Sequence, residues 1–144
     1  MTTTPPRIVV IEDSHADIRL FRYALDETGE EYTLEVLTDG EAALMFVRDR
    51  AAISDPCVIL LDLHLPKYDG IVILSAIRKN PKLDHVKVVV MTTVASPQEE
   101  SAIHTLGCRL YREKPRDIDD LKLLAQEIMR ICHEHPLTSS AAYD

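Results

Sequence analysis

Five short apolar runs, separated by stretches that carry helix-start signals, constrain this chain more than any other feature. The runs are Arg7–Ile11, Thr33–Leu37, Cys57–Leu61, Val86–Met91 and Arg109–Tyr111. The first, third and fourth are nearly continuous Ile, Val and Leu. Strands buried on both faces look like this, as in a parallel sheet held between helices. Between the runs, Ser14-His15-Ala16-Asp17 is a capping-box pattern ahead of Ile18, Phe21 and Leu25. Asp39-Gly40 and Asp69-Gly70 each precede an apolar helical face. Ser96-Pro97-Gln98-Glu99 sets a cap, a first-turn proline and a third-position Glu in order. Asp117 precedes Ile118, Leu121, Leu124, Ala125, Ile128 and Ile131 at helical spacing.

The alternation is βαβαβαβαβα. It predicts an α/β fold, a doubly wound five-stranded parallel sheet with right-handed crossovers and helices on both faces. The flavodoxin-like strand order 2-1-3-4-5 suits it. A chain of 144 residues is one domain's worth. The expected organisation is a loose N-terminal tail over 1–6, one domain over 7–135, and a loose C-terminal tail over 136–144 beginning at Pro136.

Hydrophobic residues make up 46% of the chain, which argues against disorder, and no apolar run approaches a membrane span. Met1-Thr2-Thr3-Thr4-Pro5-Pro6 has neither the basic start nor the apolar stretch of a signal peptide. The expected setting is cytoplasmic, with no membrane partner. The formal charge of −8 is uneven: residues 1–66 hold 13 acids and 5 bases, whereas 67–144 hold 11 of each. An acidic first half argues against nucleic acid as a partner. Cys57, Cys108 and Cys132 are odd in number and lack C-x-x-C spacing. They build neither a disulfide framework nor a zinc site and read as structural free thiols. The six histidines are scattered without metal spacing and read as surface or loop residues.

In such a fold, ligands bind beyond the carboxyl ends of the strands. Strand 1 delivers Glu12-Asp13 there, strand 3 delivers Asp62, strand 4 delivers Thr92-Thr93, and strand 5 is followed by Lys114-Pro115. Taken singly, Glu12 and Asp13 also suit a helix cap, Thr92 a strand-end hydroxyl, and Lys114 a surface lysine. Asp62 is different: burying a carboxylate without a partner is costly, so it needs a cation or a partner. Together these groups form a small oxygen-rich cluster suited to Mg²⁺. A carboxylate beside that ion can attack phosphorus to give an acyl phosphate. No Gly-rich phosphate loop is present, so the phosphoryl group comes from something other than a nucleotide held by one.

At these residues the chain resembles a response-regulator receiver domain of two-component signalling. Glu12-Asp13, Leu61-Asp62-Leu63-x-Leu65-Pro66-x-x-Asp69-Gly70, Met91-Thr92-Thr93 and Lys114-Pro115 match that family's motifs in order and spacing. The run Leu61–Gly70, with Thr92-Thr93 in place of Thr-Ala, is similar to the single-domain regulators paired with bacterial phytochromes. The resemblance implies a phosphoacceptor signalling protein, not an enzyme. Asp62 accepts a phosphoryl group from a phosphohistidine on a sensor histidine kinase. Mg²⁺ is held by Glu12, Asp13, Asp62 and the backbone carbonyl of His64. Thr92 and Lys114 contact the phosphoryl oxygens, and Thr92 and Tyr111 act as the switch. Tyr111 also fits a plain strand-edge aromatic.

The resemblance further implies a two-state face made by the fourth helix, fifth strand and fifth helix, through which a homodimer can form. His64 and Val94 sit where the family tunes dephosphorylation, and Val94 cannot orient water, so slow self-hydrolysis is expected. Receivers often have a cis Lys-Pro bond, which leaves both isomers open at Lys114–Pro115. Asp39 and Asp69 read as a cap and a turn residue, outside the site. Two alternatives stand beside this reading. One is a Mg²⁺-dependent aspartyl-phosphate phosphohydrolase, which usually has a second Asp where this chain has His64. The other is a receiver-like interaction module that is never phosphorylated, which would have no reason to keep the charged set.

Overall fold

The structure is a computed structural model that describes residues 4–50 and 56–134. The proposed C-terminal tail and residues 1–3 of the N-terminal one lie outside these residues. Residues 4–6 of the N-terminal tail are described, and the Pro6 carbonyl accepts the Thr33 N–H at 2.9 Å.

Five strands form one parallel sheet: β1 (Arg7–Ile11), β2 (Thr33–Leu37), β3 (Val58–Asp62), β4 (Lys87–Thr92) and β5 (Leu110–Glu113). Their order is β2-β1-β3-β4-β5. The last three begin one residue later than the apolar runs suggest and extend past them. Apolar character marks what is buried, whereas ladder pairing sets the strand, and pairing carries on into the polar residues at the rim. Asp62 pairs with Met91, and Thr92 with Glu113.

The helices are α1 (His15–Asp26), α2 (Gly40–Met45), α3 (Gly70–Lys79), α4 (Pro97–Leu106) and α5 (Ile118–Cys132). Each starts at a side-chain cap: Ser14, Asp39, Asp69, Ser96 and Asp117 accept backbone N–H groups of the first turn. Such a cap is worth about 1 kcal/mol. At α4 the box is reciprocal, since Glu99 Oε1 also accepts the Ser96 N–H. Two short pieces carry no local signal that the apolar spacing could reveal. A π-helical segment continues α2 over Phe46–Arg50, and a 3₁₀ turn spans Pro81–Leu83.

The sheet has two cores. Val9, Ile11, Ile59, Leu61, Val88 and Val90 face Phe46, Ile73, Leu74, Ile77 and Ile103 on the side of α2, α3 and α4. Ile8, Val10, Val58, Leu60, Val89 and Met91 face Phe21, Leu25, Leu124 and Ile128 on the side of α1 and α5. This is strand alternation with both faces covered, so every residue of β3 is buried. Each such side chain removed from water contributes about 1.5–3 kcal/mol. The rigid centre of the sheet thereby fixes where the polar strand ends sit.

Candidate functional site

β1 and β3 are neighbours and in register, with Ile11 opposite Leu61. The chain therefore turns polar at the same height on both strands. Glu12 and Asp62 are each 4% exposed, and Asp13 is more open. One carboxylate oxygen from each of Glu12, Asp13 and Asp62 lies within 4.8 Å of the others. Local bonds orient the buried pair. Glu12 Oε2 accepts the Ser14 N–H at 3.1 Å, and Asp62 Oδ1 accepts the His64 N–H at 3.0 Å.

Lys114 arrives from the end of β5, where its N–H bonds to the Thr92 carbonyl at 2.9 Å. Its Nζ bridges Glu12 Oε1 at 2.8 Å and Asp62 Oδ2 at 3.2 Å. A third contact, to Asp17 Oδ2 at 3.0 Å, comes from the first turn of α1. Burial opposes charge on this lysine, but the carboxylates outweigh it and hold its pKa above the ordinary value. Burial also acts on Glu12. Together with the Asp62 charge it pushes that carboxyl up to about 7, against the pull of Lys114 and the Ser14 N–H. The three carboxylates and Asp17 share one ammonium, so the cluster is short of positive charge even with Lys114 in place. Three hard oxygen donors at this spacing, short of cationic charge, fit a small divalent ion that keeps water ligands.

Thr92 is 2% exposed. Its hydroxyl donates to the Val94 carbonyl at 3.3 Å or to His64 Nδ1, and the His64 ring also reaches Glu99. His64 is therefore more than an ordinary loop histidine, because it links β4 to the start of α4. Val94 is 74% exposed and offers only methyl groups. Tyr111 is 39% exposed on β5 and lines a shallow cleft with Thr92, Thr93, Val94, Ala95, Glu100 and Glu113. Partial burial first, then the nearby Glu100 and Glu99 charges, raise its pKa.

The loop from β3 to α3 is pinned by a bridge between His64 and Asp69 and by the Gly70 N–H on the Leu63 carbonyl at 2.9 Å. Lys67 takes a left-handed φ of 70° within it. Asp39 and Asp69 are helix caps, and neither belongs to the carboxylate cluster. The Lys114–Pro115 bond is trans, which settles the isomer in favour of the commoner form. Residue spacing does not mark Asp17 as part of the site. Its place in a capping-box pattern concealed it, and its carboxylate meets Lys114, 97 residues away in sequence.

Three comparisons bear on this rim. The sequence profile of the response regulator receiver domain matches residues 8–126. The response regulator Rcp1 of Synechocystis sp. is 36% identical over 130 residues, covering 88% of each chain. The crystal structure of the Mn²⁺-bound form of response regulator Rcp1 superposes with a TM-score of 0.75 at 37% identity, over 86% of this chain and 91% of that one. The phosphorylated cyanobacterial phytochrome response regulator RcpA superposes with a TM-score of 0.79 at 31% identity, over 88% of this chain and 93% of that one. The acid cluster thus stands at the rim of a fold shared with response regulators, and the chain belongs to the response regulator receiver domain family.

Proposed function

We propose that this protein is a phosphoacceptor whose Asp62 takes a phosphoryl group from a phosphohistidine on a sensor histidine kinase, in a Mg²⁺-dependent reaction. The observation that carries this reading is the convergence of Glu12, Asp13 and Asp62 within 4.8 Å, with one ammonium spanning Glu12 and Asp62. Mg²⁺, held by Glu12, Asp13, Asp62 and the His64 carbonyl, supplies charge that offsets the carboxylates and the phosphoryl oxygens. An Asp62 oxygen attacks phosphorus, the phosphorus–nitrogen bond to the kinase imidazole breaks, and that nitrogen takes a proton. The His64 N–H holds the other Asp62 oxygen in place. Lys114, already 3.2 Å from Asp62, follows the negative charge onto the phosphoryl group. Thr92 turns its hydroxyl toward a phosphoryl oxygen, and Tyr111 moves into the cleft beside it.

The α4–β5–α5 face then changes shape, and this is the output. Tyr111 on β5 and Leu123 on α5 are exposed on these elements, which suits contact with a partner or with a second copy of the chain. The likeness to a phytochrome response regulator supports a phytochrome-type kinase as the phosphoryl donor. Among the described residues, no helix is long and apolar enough to cross a membrane.

The test is to incubate the protein with Mg²⁺ and acetyl phosphate or a phosphoramidate and weigh it intact. One phosphoryl adduct is expected, absent in Asp62→Asn and absent with chelator. No adduct overturns the proposal and favours the never-phosphorylated module. Sustained release of phosphate from many small esters overturns it in favour of a phosphohydrolase.

A further inference from the structure

Far from the acid cluster, at the opposite end of the sheet, two sulfur atoms meet. Cys57 immediately precedes β3, and Cys132 is the last residue of α5. They are 75 residues apart in sequence, yet their Sγ atoms lie 2.6 Å apart. Both thiols are free and partly exposed. The apolar surroundings are those of the α1–α5 core, against which both residues pack.

The environment makes the two sulfurs unequal. Cys57 Sγ can donate to the Arg7 carbonyl at 3.2 Å. The contact with Cys132 and the Lys87 charge lower the Cys57 pKa, against burial. The same contact with Cys57, then burial, raises that of Cys132. Lys87 is the nearby cation, fixed by the Ile131 carbonyl at 3.1 Å and the Glu134 carbonyl at 3.4 Å. Two free thiols in contact, with an ammonium held close by, are the arrangement of an attacking and a resolving cysteine.

We propose that Cys57 and Cys132 form a reversible intramolecular disulfide on exposure to a hydroperoxide, tying the C-terminal end of α5 to the start of β3. The Cys57 thiolate attacks one peroxide oxygen. The O–O bond breaks, Cys57 becomes a sulfenic acid, and the departing hydroxide takes a proton to leave as water. Cys132 sulfur then attacks Cys57 sulfur, the S–O bond breaks, and the second hydroxide leaves as water with the Cys132 proton. Two thiols have given up two electrons, and one hydroperoxide has been reduced. A small dithiol reverses the step by thiol–disulfide exchange. The sulfurs already lie in contact, so the resolving step needs no long approach of one cysteine to the other. Inside cells such bonds are transient and redox-sensing, not structural.

α5 is one of the three elements of the proposed switch face, so the bond limits how its far end can move. Cys108 is a built-in control. Burial raises its thiol pKa, and it packs against the other core, on the far side of the sheet.

The test uses the full chain. Treat it with hydrogen peroxide at a small molar excess, quench, denature, alkylate the remaining thiols and map the peptides. The expected result is one linked peptide pair holding Cys57 and Cys132, loss of two hydrogens in mass, alkylated Cys108, and full recovery with dithiothreitol. The oxidised protein should unfold at a temperature higher by roughly 5–10 °C, because the cross-link constrains the unfolded chain. Cys132→Ser should instead hold Cys57 as a sulfenic acid that dimedone labels. Should that variant fail to fold, the peptide map of the unaltered chain decides alone. Full alkylation of both residues after peroxide, Cys57 passing directly to a sulfinic acid, or linkage only between chains overturns the proposal.

Discussion

The Thr92 hydroxyl lies 3.2 Å from His64 Nδ1, and the same ring reaches Glu99 Oε2 through Nε2 at 3.3 Å. Glu99 in turn caps α4 through the Ser96 N–H. For Thr92 to turn toward Asp62 it must release this partner, which costs about 0.5–1.5 kcal/mol. His64→Ala removes the competing bond. It should lower the beryllofluoride concentration needed for half-saturation, with Mg²⁺ present, by about 2- to 12-fold. Unchanged or weaker binding would sink the idea that His64 restrains Thr92.

Val94 stands beside the site with no hydrogen-bonding group on its side chain. The acyl phosphate on Asp62 should therefore decay slowly once the donor is removed. Val94→Asn, which can orient a water, should speed the decay by roughly tenfold, a modest share of what positioned proton-transfer groups achieve. Decay is followed by intact mass over time. Fast loss from the unaltered protein contradicts the expectation.

Lys114 offsets two buried carboxylates at once. In Lys114→Met both Glu12 and Asp62 lose their ammonium partner. Breaking a buried pair from one side costs about 3–5 kcal/mol, and the partial exposure of this lysine brings the expectation to about 2–3 kcal/mol. Urea unfolding measures it. Adding Mg²⁺ should recover much of the loss, because the cation replaces the missing charge. A variant as stable as the parent without metal would mean that the cluster tolerates its own repulsion.

Proton and metal compete at Glu12. Its folded-state pKa of about 7 lies above the ordinary 4.5, with burial the main cause. Between those values the folded chain holds a proton that the unfolded chain has released. Metal-free stability therefore falls as pH rises through this window. Magnesium must displace that proton, so its affinity should rise with pH up to about 7 and level off above, with a proton released on binding. Calorimetry in buffers of different ionisation heat reads both effects. Affinity that stays flat from about pH 5 to about pH 7 refutes the coupling.

Gly70 sits so close to the Leu63 backbone that an added Cβ would lie 2.5 Å from Leu63 Cα and 2.6 Å from its carbonyl oxygen. Backbone cannot swing aside as a side chain can. Gly70→Ala should cost about 1–3 kcal/mol in urea unfolding. It should also weaken Mg²⁺ binding, because the displaced loop carries the His64 carbonyl. Parent-like stability would mean that the loop yields freely.

The layout of strands and helices was legible because each element is announced locally. Unbroken Val-Ile-Leu runs signal two-sided burial, and Ser14, Asp39, Ser96 and Asp117 are caps by residue type and offset. The rim acids were legible because Asp62 ends a strand that offers it nothing else polar. Less could be read where meaning depends on a partner far along the chain. Asp17 reads as a helix-start acid until β5 brings Lys114 to it, and Cys57 reads as core until α5 ends beside it. The left-handed Lys67 and the π-helical end of α2 follow from loop closure and packing, which no residue spacing records.

Lys114 also touches Asp17, so the ammonium that faces the acceptor carboxylate is shared with the first turn of α1. Any change in charge at Asp62 redraws how that single cation is divided among three claimants. A docking protein that covers α1 could thus sense the state of the rim from the outer field alone, before any helix shifts. Information would leave the pocket by two routes, one mechanical through Thr92 and one purely electrical through Asp17.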